Sequence, residues 1–109
     1  MLIDFLELSA EHINNFHGGE KSTVLRLFKD DNNKILLGKL EAGASIGVHT
    51  HQTSSEIIYI VQGTGKVLYD GRYEQLCTGA CHYCPKNHEH SLINDSDDDL
   101  IFFAVVPEQ

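Results

Sequence analysis

His49-Thr50-His51 sets two imidazoles two residues apart in a stretch that reads as extended, and Glu56 follows five residues later. Side chains at i and i+2 of a strand leave the same face about 6.6–7 Å apart, so two such rings can lean onto one ion. Five residues is an odd separation, which would send Glu56 to the opposite face if the strand ran on unbroken. The polar segment Gln52-Thr53-Ser54-Ser55 is therefore expected to turn the chain. A third imidazole, His90, comes just after Pro85-Lys86-Asn87, where Pro and Asn mark another bend. Two strand-turn-strand units would then bring four side chains to one point. Three neutral imidazoles and one carboxylate form a mixed nitrogen and oxygen set that suits Mn, Fe, Co, Ni, Cu or Zn. Structural zinc would favour thiolates, and Mg or Ca an all-oxygen shell. On a six-coordinate ion two positions stay open for a ligand with two adjacent oxygens, a water or dioxygen. A single carboxylate offsets only one of two positive charges, which favours an anionic ligand.

These residues need a β framework to hold them, and the chain supplies one. From Thr23 onward it is a series of short runs rich in Val, Ile, Leu, Tyr and Phe, separated by turn clusters. Their spacing of roughly eight to twelve residues is that of a sandwich or barrel. The runs are 23–28, 35–40, 46–50, 56–61, 65–69, 73–76, 80–84, 90–93 and 100–106. Asp30-Asp31-Asn32-Asn33 and Asp70-Gly71 are hairpin signals, because Asn and Gly tolerate the positive φ that tight turns demand. At the N-terminus a first strand is expected, then a short helical turn through Glu11 and Ile13 capped by the Ser9 hydroxyl. The acidic run Asp95-Ser96-Asp97-Asp98-Asp99 lacks the Gly and distant Glu of a calcium loop and reads as a solvated hairpin turn.

Taken singly, each histidine is more often a surface or core residue than a ligand; the joint spacing changes the reading. One segment is Gly43-x5-His49-x-His51-x4-Glu56-x6-Gly63, and the other is Gly79-x5-Pro85-x-Asn87-x2-His90-x3-Asn94. Position for position they resemble the two sequence motifs of the cupin superfamily. The first is matched at every defining residue; the second departs once, where Asn87 stands at a position usually held by Gly. Asn is the non-glycine residue that most readily takes a left-handed backbone, so the departure is mild. The motifs, at 43–63 and 79–94, cover about half the chain, and the short segment between them resembles that of small prokaryotic single-domain cupins. The resemblance implies an all-β jelly-roll barrel, or double-stranded β-helix, formed by one domain over 1–109. It also implies one divalent metal ion held by His49, His51, Glu56 and His90, and a tendency to form homodimers.

Other residues have plainer readings. Cys81 and Cys84 of an extended run point to opposite faces about 10 Å apart, too far to share an ion, so Cys77, Cys81 and Cys84 read as reduced thiols rather than a metal cluster. His82, Tyr83 and His88 lie in or beside the second motif and are candidates to support the ligands or line a pocket. Tyr59 and Tyr69 are strand aromatics expected in core or interface packing. His12 and His17 fall outside the motifs and are expected to be exposed.

Composition limits the partners. With 109 residues, 41% apolar and 22% charged, the chain has the balance of an ordinary globular domain. A net charge of −8 and a pI near 5.2 argue against nucleic acid or an anionic membrane surface. Met1-Leu2-Ile3-Asp4-Phe5-Leu6-Glu7 has no basic start and is broken by acids, so it does not read as a signal peptide. No apolar run nears the ~20 residues of a membrane span, and the cytosol is the expected location. Two functions stay open: a metal-dependent enzyme performing oxygenation, decarboxylation or isomerisation on a small oxygenated metabolite, and a non-catalytic module that binds a small acid or sugar. A structural barrel whose histidines hold nothing is the blandest alternative.

Overall fold

In the computed structural model, which describes residues 1–109, the apolar runs form ten strands in two antiparallel sheets. The six-stranded sheet has the order β1 (Glu11–Asn14), β2 (Ser22–Lys29), β3 (Asn33–Leu40), β10 (Leu100–Pro107), β5 (Glu56–Gln62) and β8 (Cys81–Cys84). The four-stranded sheet has the order β4 (His49–Thr50), β9 (Glu89–Ile93), β6 (Thr64–Tyr69) and β7 (Arg72–Cys77). Strands far apart in sequence lie side by side in both sheets, the topology of a jelly-roll barrel.

Alternation decides what fills the interior. Directly paired residues share a face, so Leu27, Leu36, Ala104, Ile58 and His82 form one inward row across five strands. Leu25, Gly38, Phe102 and Ile60 form the next. Val67 pairs with Leu92 in the facing sheet, and these side chains share one core with Ala44 and Ile46. Gly38 is needed where it stands: a Cβ there would lie 2.3 Å from the Phe102 ring, whose far end occupies that space.

Several local expectations are corrected. Phe5–Glu7, not the segment after Ser9, forms the short helical turn, and it is a 3-10 turn whose N-cap is Asp4, accepting from the Leu6 amide at 3.0 Å. Glu11–Asn14 is instead β1, because the open edge of β2 offers backbone partners and Ile13, set opposite Thr23, packs on the core. A lone helical turn there would satisfy neither. The hairpin at 30–33 uses no positive φ; the Asp30 carboxylate accepts from the amides of Asn32 and Asn33 at 2.9 and 2.8 Å. Asp70 and Gly71 do take positive φ, 46° and 81°. The acidic run 95–99 is no hairpin, since β9 and β10 belong to different sheets and it crosses between them. Buried Asn94 holds that crossing, donating to the carbonyls of Leu40 and Asp98 at 2.8 and 2.7 Å. The run expected over 46–50 is regular only at His49–Thr50. No helix is long and apolar enough to cross a membrane.

Candidate metal centre

His49 and His90 are direct cross-strand partners on β4 and β9, so their rings emerge from the same face of the smaller sheet. His51 follows at the end of β4, and its carbonyl accepts from the Asn87 amide at 2.8 Å, which ties the two motif segments together. Asn87 has φ 73°, the left-handed backbone expected at that position. Between His51 and Glu56 the chain bends and changes sheet, and Glu56 opens β5 with the parity of inward-facing Ile58 and Ile60. The turn inferred from the odd separation is thus the sheet-to-sheet crossing itself.

The four donor atoms converge, all lying within 4.8 Å of one another. Glu56 Oε1 is 3.0 Å from Nε2 of both His51 and His90 and 4.0 Å from Nε2 of His49, while the His49 and His90 Nε2 atoms are 3.1 Å apart. Ligands about 2.1 Å from a common ion stand roughly 3.0 Å apart when adjacent on an octahedron and about 4.2 Å apart when opposite, whereas a tetrahedron requires about 3.4 Å. Of these four separations, three lie near the adjacent value and one near the opposite value, closer to octahedral than to tetrahedral spacing. The residues form a group capable of holding a metal ion.

Protonation suits that role. Burial pushes His49 down to about 4, with the Gly47 hydrogen bond opposing. Its Nδ1–H donates to the Gly47 carbonyl at 2.7 Å, leaving the Nε2 lone pair aimed at the donor cluster. Burial works to raise Glu56, but hydrogen bonds from His51 and His90 outweigh it and hold the carboxyl down at about 2. At neutral pH His49 is neutral and Glu56 a carboxylate, while the Nε2 protons that His51 and His90 give to Glu56 would be released as an ion takes their place.

Two histidines outside the four matter: His82, a candidate from its place in the second motif, and His17, expected from the sequence only to be exposed. Buried His82 sits behind His90 with its Nε2 3.0 Å from His90 Nδ1. Burial holds His82 down at about 4, so the neutral ring can accept the Nδ1 proton of His90 once His90 turns a free Nε2 to an ion instead of donating to Glu56. His17 is exposed by area as expected, yet its ring stacks on His49 at 4.1 Å and lines the cavity before the donors. A strained φ of 52° holds it there, and burial of one face, then the His51 charge, lower its pKa. Spacing gave no signal for His17, which reaches the site only because the 16–18 turn lies against Gly47.

The remaining candidates fall elsewhere. His88 turns away, its Nδ1 meeting Asp70 Oδ2 at 2.5 Å and Tyr69 Oη at 3.3 Å. Tyr83 and Tyr59 face outward, and His12 is exposed. Cys77 and Cys81 are exposed and Cys84 is buried, the opposite orientations expected for 81 and 84. Cys84 also converges with His82 and His90. That group shares His90 with the first, and burial pushes its thiol up to about 11, away from the thiolate a metal needs.

An inward-facing group of three histidines and a glutamate within two antiparallel jelly-roll sheets defines a class of small β-barrels able to hold one ion. Residues 36–106 match the family model described as the cupin domain, and the chain belongs to the cupin family. It is 31% identical to an oxalate-binding protein of Thermotoga maritima, over 97% of this chain and 93% of that protein. Among solved structures it is similar to a predicted oxalate decarboxylase of Thermotoga maritima, with a TM-score of 0.94, 26% identity and full coverage of both chains. A cupin-superfamily sugar phosphate isomerase of Silicibacter pomeroyi shares the fold at a TM-score of 0.82 and 16% identity, over 100% of this chain and 76% of that one.

Proposed function

We propose that this chain, acting as one cupin domain over 1–109, binds a small oxygen-rich anion of the oxalate class at a divalent transition metal ion held by His49, His51, Glu56 and His90. The octahedral-like spacing of the four donor atoms carries the reading. The relatedness to an oxalate-binding protein supports the ligand class. When bound, the ion would supply a net positive charge and open positions for paired carboxylate oxygens. The chain's residues do the rest: Glu56 offsets one charge, Gly47 and His82 orient the rings of His49 and His90, and a largely apolar cavity opens before the donors. Mn, Fe, Co, Ni, Cu and Zn all suit such donors.

A second reading, turnover by decarboxylation, draws on the similarity to a predicted oxalate decarboxylase and on His17, a titratable residue that lines the cavity and stacks on His49. Release of carbon dioxide from oxalate by metal-loaded protein separates the two readings.

The outer face of the larger sheet, half-buried over β2, β3 and β10 and exposed at Ile57, Tyr59 and Tyr83, supports a homodimer. Phe28, Ile35, Val105, Ile57 and Tyr83 form one outward row across five strands, with Leu37, Phe103, Tyr59 and Cys81 beside it. Three unpaired cysteines are in keeping with a cytosolic address.

The test is a titration of metal-depleted protein with each ion, then calorimetry with oxalate. One ion per chain, oxalate binding that requires it, and loss of both in His51→Ala and His90→Ala are expected. Unchanged metal stoichiometry in either variant, or oxalate binding without metal, would remove the proposal.

A further inference from the structure

Oxalate accounts for only part of the cavity in front of the donors. That cavity measures about 170 Å³, room for on the order of ten waters at roughly 10–15 Å³ each. Two joined carboxylates fill a fraction of it. Ten of its seventeen lining residues are hydrophobic, among them Ile13, Phe16, Leu27, Leu36, Phe102 and Val106. These side chains come from β1, the 16–18 turn, β2, β3 and β10, so one continuous apolar wall extends from the donor cluster between the sheets. Beyond the four donors and His17, the polar lining consists of Glu11 and Lys34. Their charges sum to zero, so the lining outside the donor cluster carries no net charge that would favour a second ionic group on the ligand.

We infer that the preferred ligand is a 2-oxo or 2-hydroxy monocarboxylic acid bearing a branched or aromatic hydrocarbon substituent, its two adjacent oxygens at the His49, His51, Glu56 and His90 group and its hydrocarbon against the apolar wall. This rests on the metal-dependent carboxylate reading above and narrows it. Each buried methylene contributes about fourfold in affinity, from ~0.8 kcal/mol. A substituent of several carbons outranks a methyl group by about tenfold or more, while a distal carboxylate must give up its hydration to lie on the same wall.

The experiment is calorimetry on protein loaded with manganese(II), its loading checked by elemental analysis, against oxalate, pyruvate, 4-methyl-2-oxopentanoate and 2-oxoglutarate. The expected result is 4-methyl-2-oxopentanoate binding at least about tenfold tighter than pyruvate, with 2-oxoglutarate weaker than 4-methyl-2-oxopentanoate. Leu27→Asn and Ile13→Asn, on different strands, should each shrink that preference. If oxalate binds but the branched acid gains nothing over pyruvate, or 2-oxoglutarate is the tightest 2-oxo acid, this inference fails alone. A preference untouched in both folded variants also overturns it. If no acid binds, oxalate included, the carboxylate reading falls and this inference with it.

Discussion

At the scale of single residues, the site works through tautomers. Each histidine must present Nε2 to the donor cluster, and for two of them the partner of the other nitrogen is visible: a backbone carbonyl for His49 and a buried imidazole for His90. A neutral imidazole in the second position is a weaker acceptor than a carboxylate, yet it adds no charge to a site that already contains Glu56. His82→Phe keeps a ring of similar shape and removes the acceptor. Metal affinity should fall about 10–100-fold, with the thermal midpoint of the metal-free protein much less affected; competition with a chelator would measure the first. Equal affinity in the two proteins would show that His82 merely fills space.

At the scale of elements, the candidate site depends on how closely the 16–18 turn approaches the segment that leads into the strand carrying His49. A Cβ on Gly47 would lie 2.0 Å from the His17 carbonyl oxygen, and the Gly47 amide donates to the Phe16 carbonyl at 2.9 Å. Gly47 thus seats the 16–18 turn and, through its own carbonyl, aims the His49 ring. In Gly47→Ala either the turn lifts or the strand shifts. The expected cost is about 1–3 kcal/mol of stability, read as a lower thermal midpoint, together with weaker metal binding. Gly71→Ala is the control, because nothing lies within 4 Å of its Cβ and only its positive φ opposes the change. Comparable metal loss in both variants would deny Gly47 any special part. The elements also show where local signals mislead: Ser9 has the chemistry of a cap, but pairing along the open edge of β2 outweighs one helical turn.

At the scale of the whole molecule, the larger sheet turns one face to the smaller sheet, while its outer face is covered near Phe103 by Phe5 of the N-terminal turn and open around β5 and β8. Ile57, Tyr59, Val61 and Tyr83 remain 39–54% exposed on that outer face. Contiguous apolar surface of this kind marks an interaction site on soluble proteins. Sedimentation should therefore report a dimer, and Tyr59→Asp, which puts a charge at the centre of the patch, should shift it to monomer while preserving the fold. A wild-type chain that sediments as a monomer at micromolar concentration would rule out this face as a subunit interface.

The order of His49, His51, Glu56 and His90, the alternating runs and the bend at 52–55 are all written in the linear chain, because period-two patterning and turn chemistry act over a few residues. The membership of the candidate site and the barrel class were legible for that reason. Nothing local indicates that β9 will lie between β4 and β6, that the 95–99 run will cross between sheets, or that His17 will stack on His49, and the second motif marks His82 only as one candidate beside Tyr83 and His88. Those facts arise from long-range strand pairing and burial, in which each segment's partner is chosen by the whole core. The tertiary structure alone decided which rings support the donors and how large an apolar space opens before them.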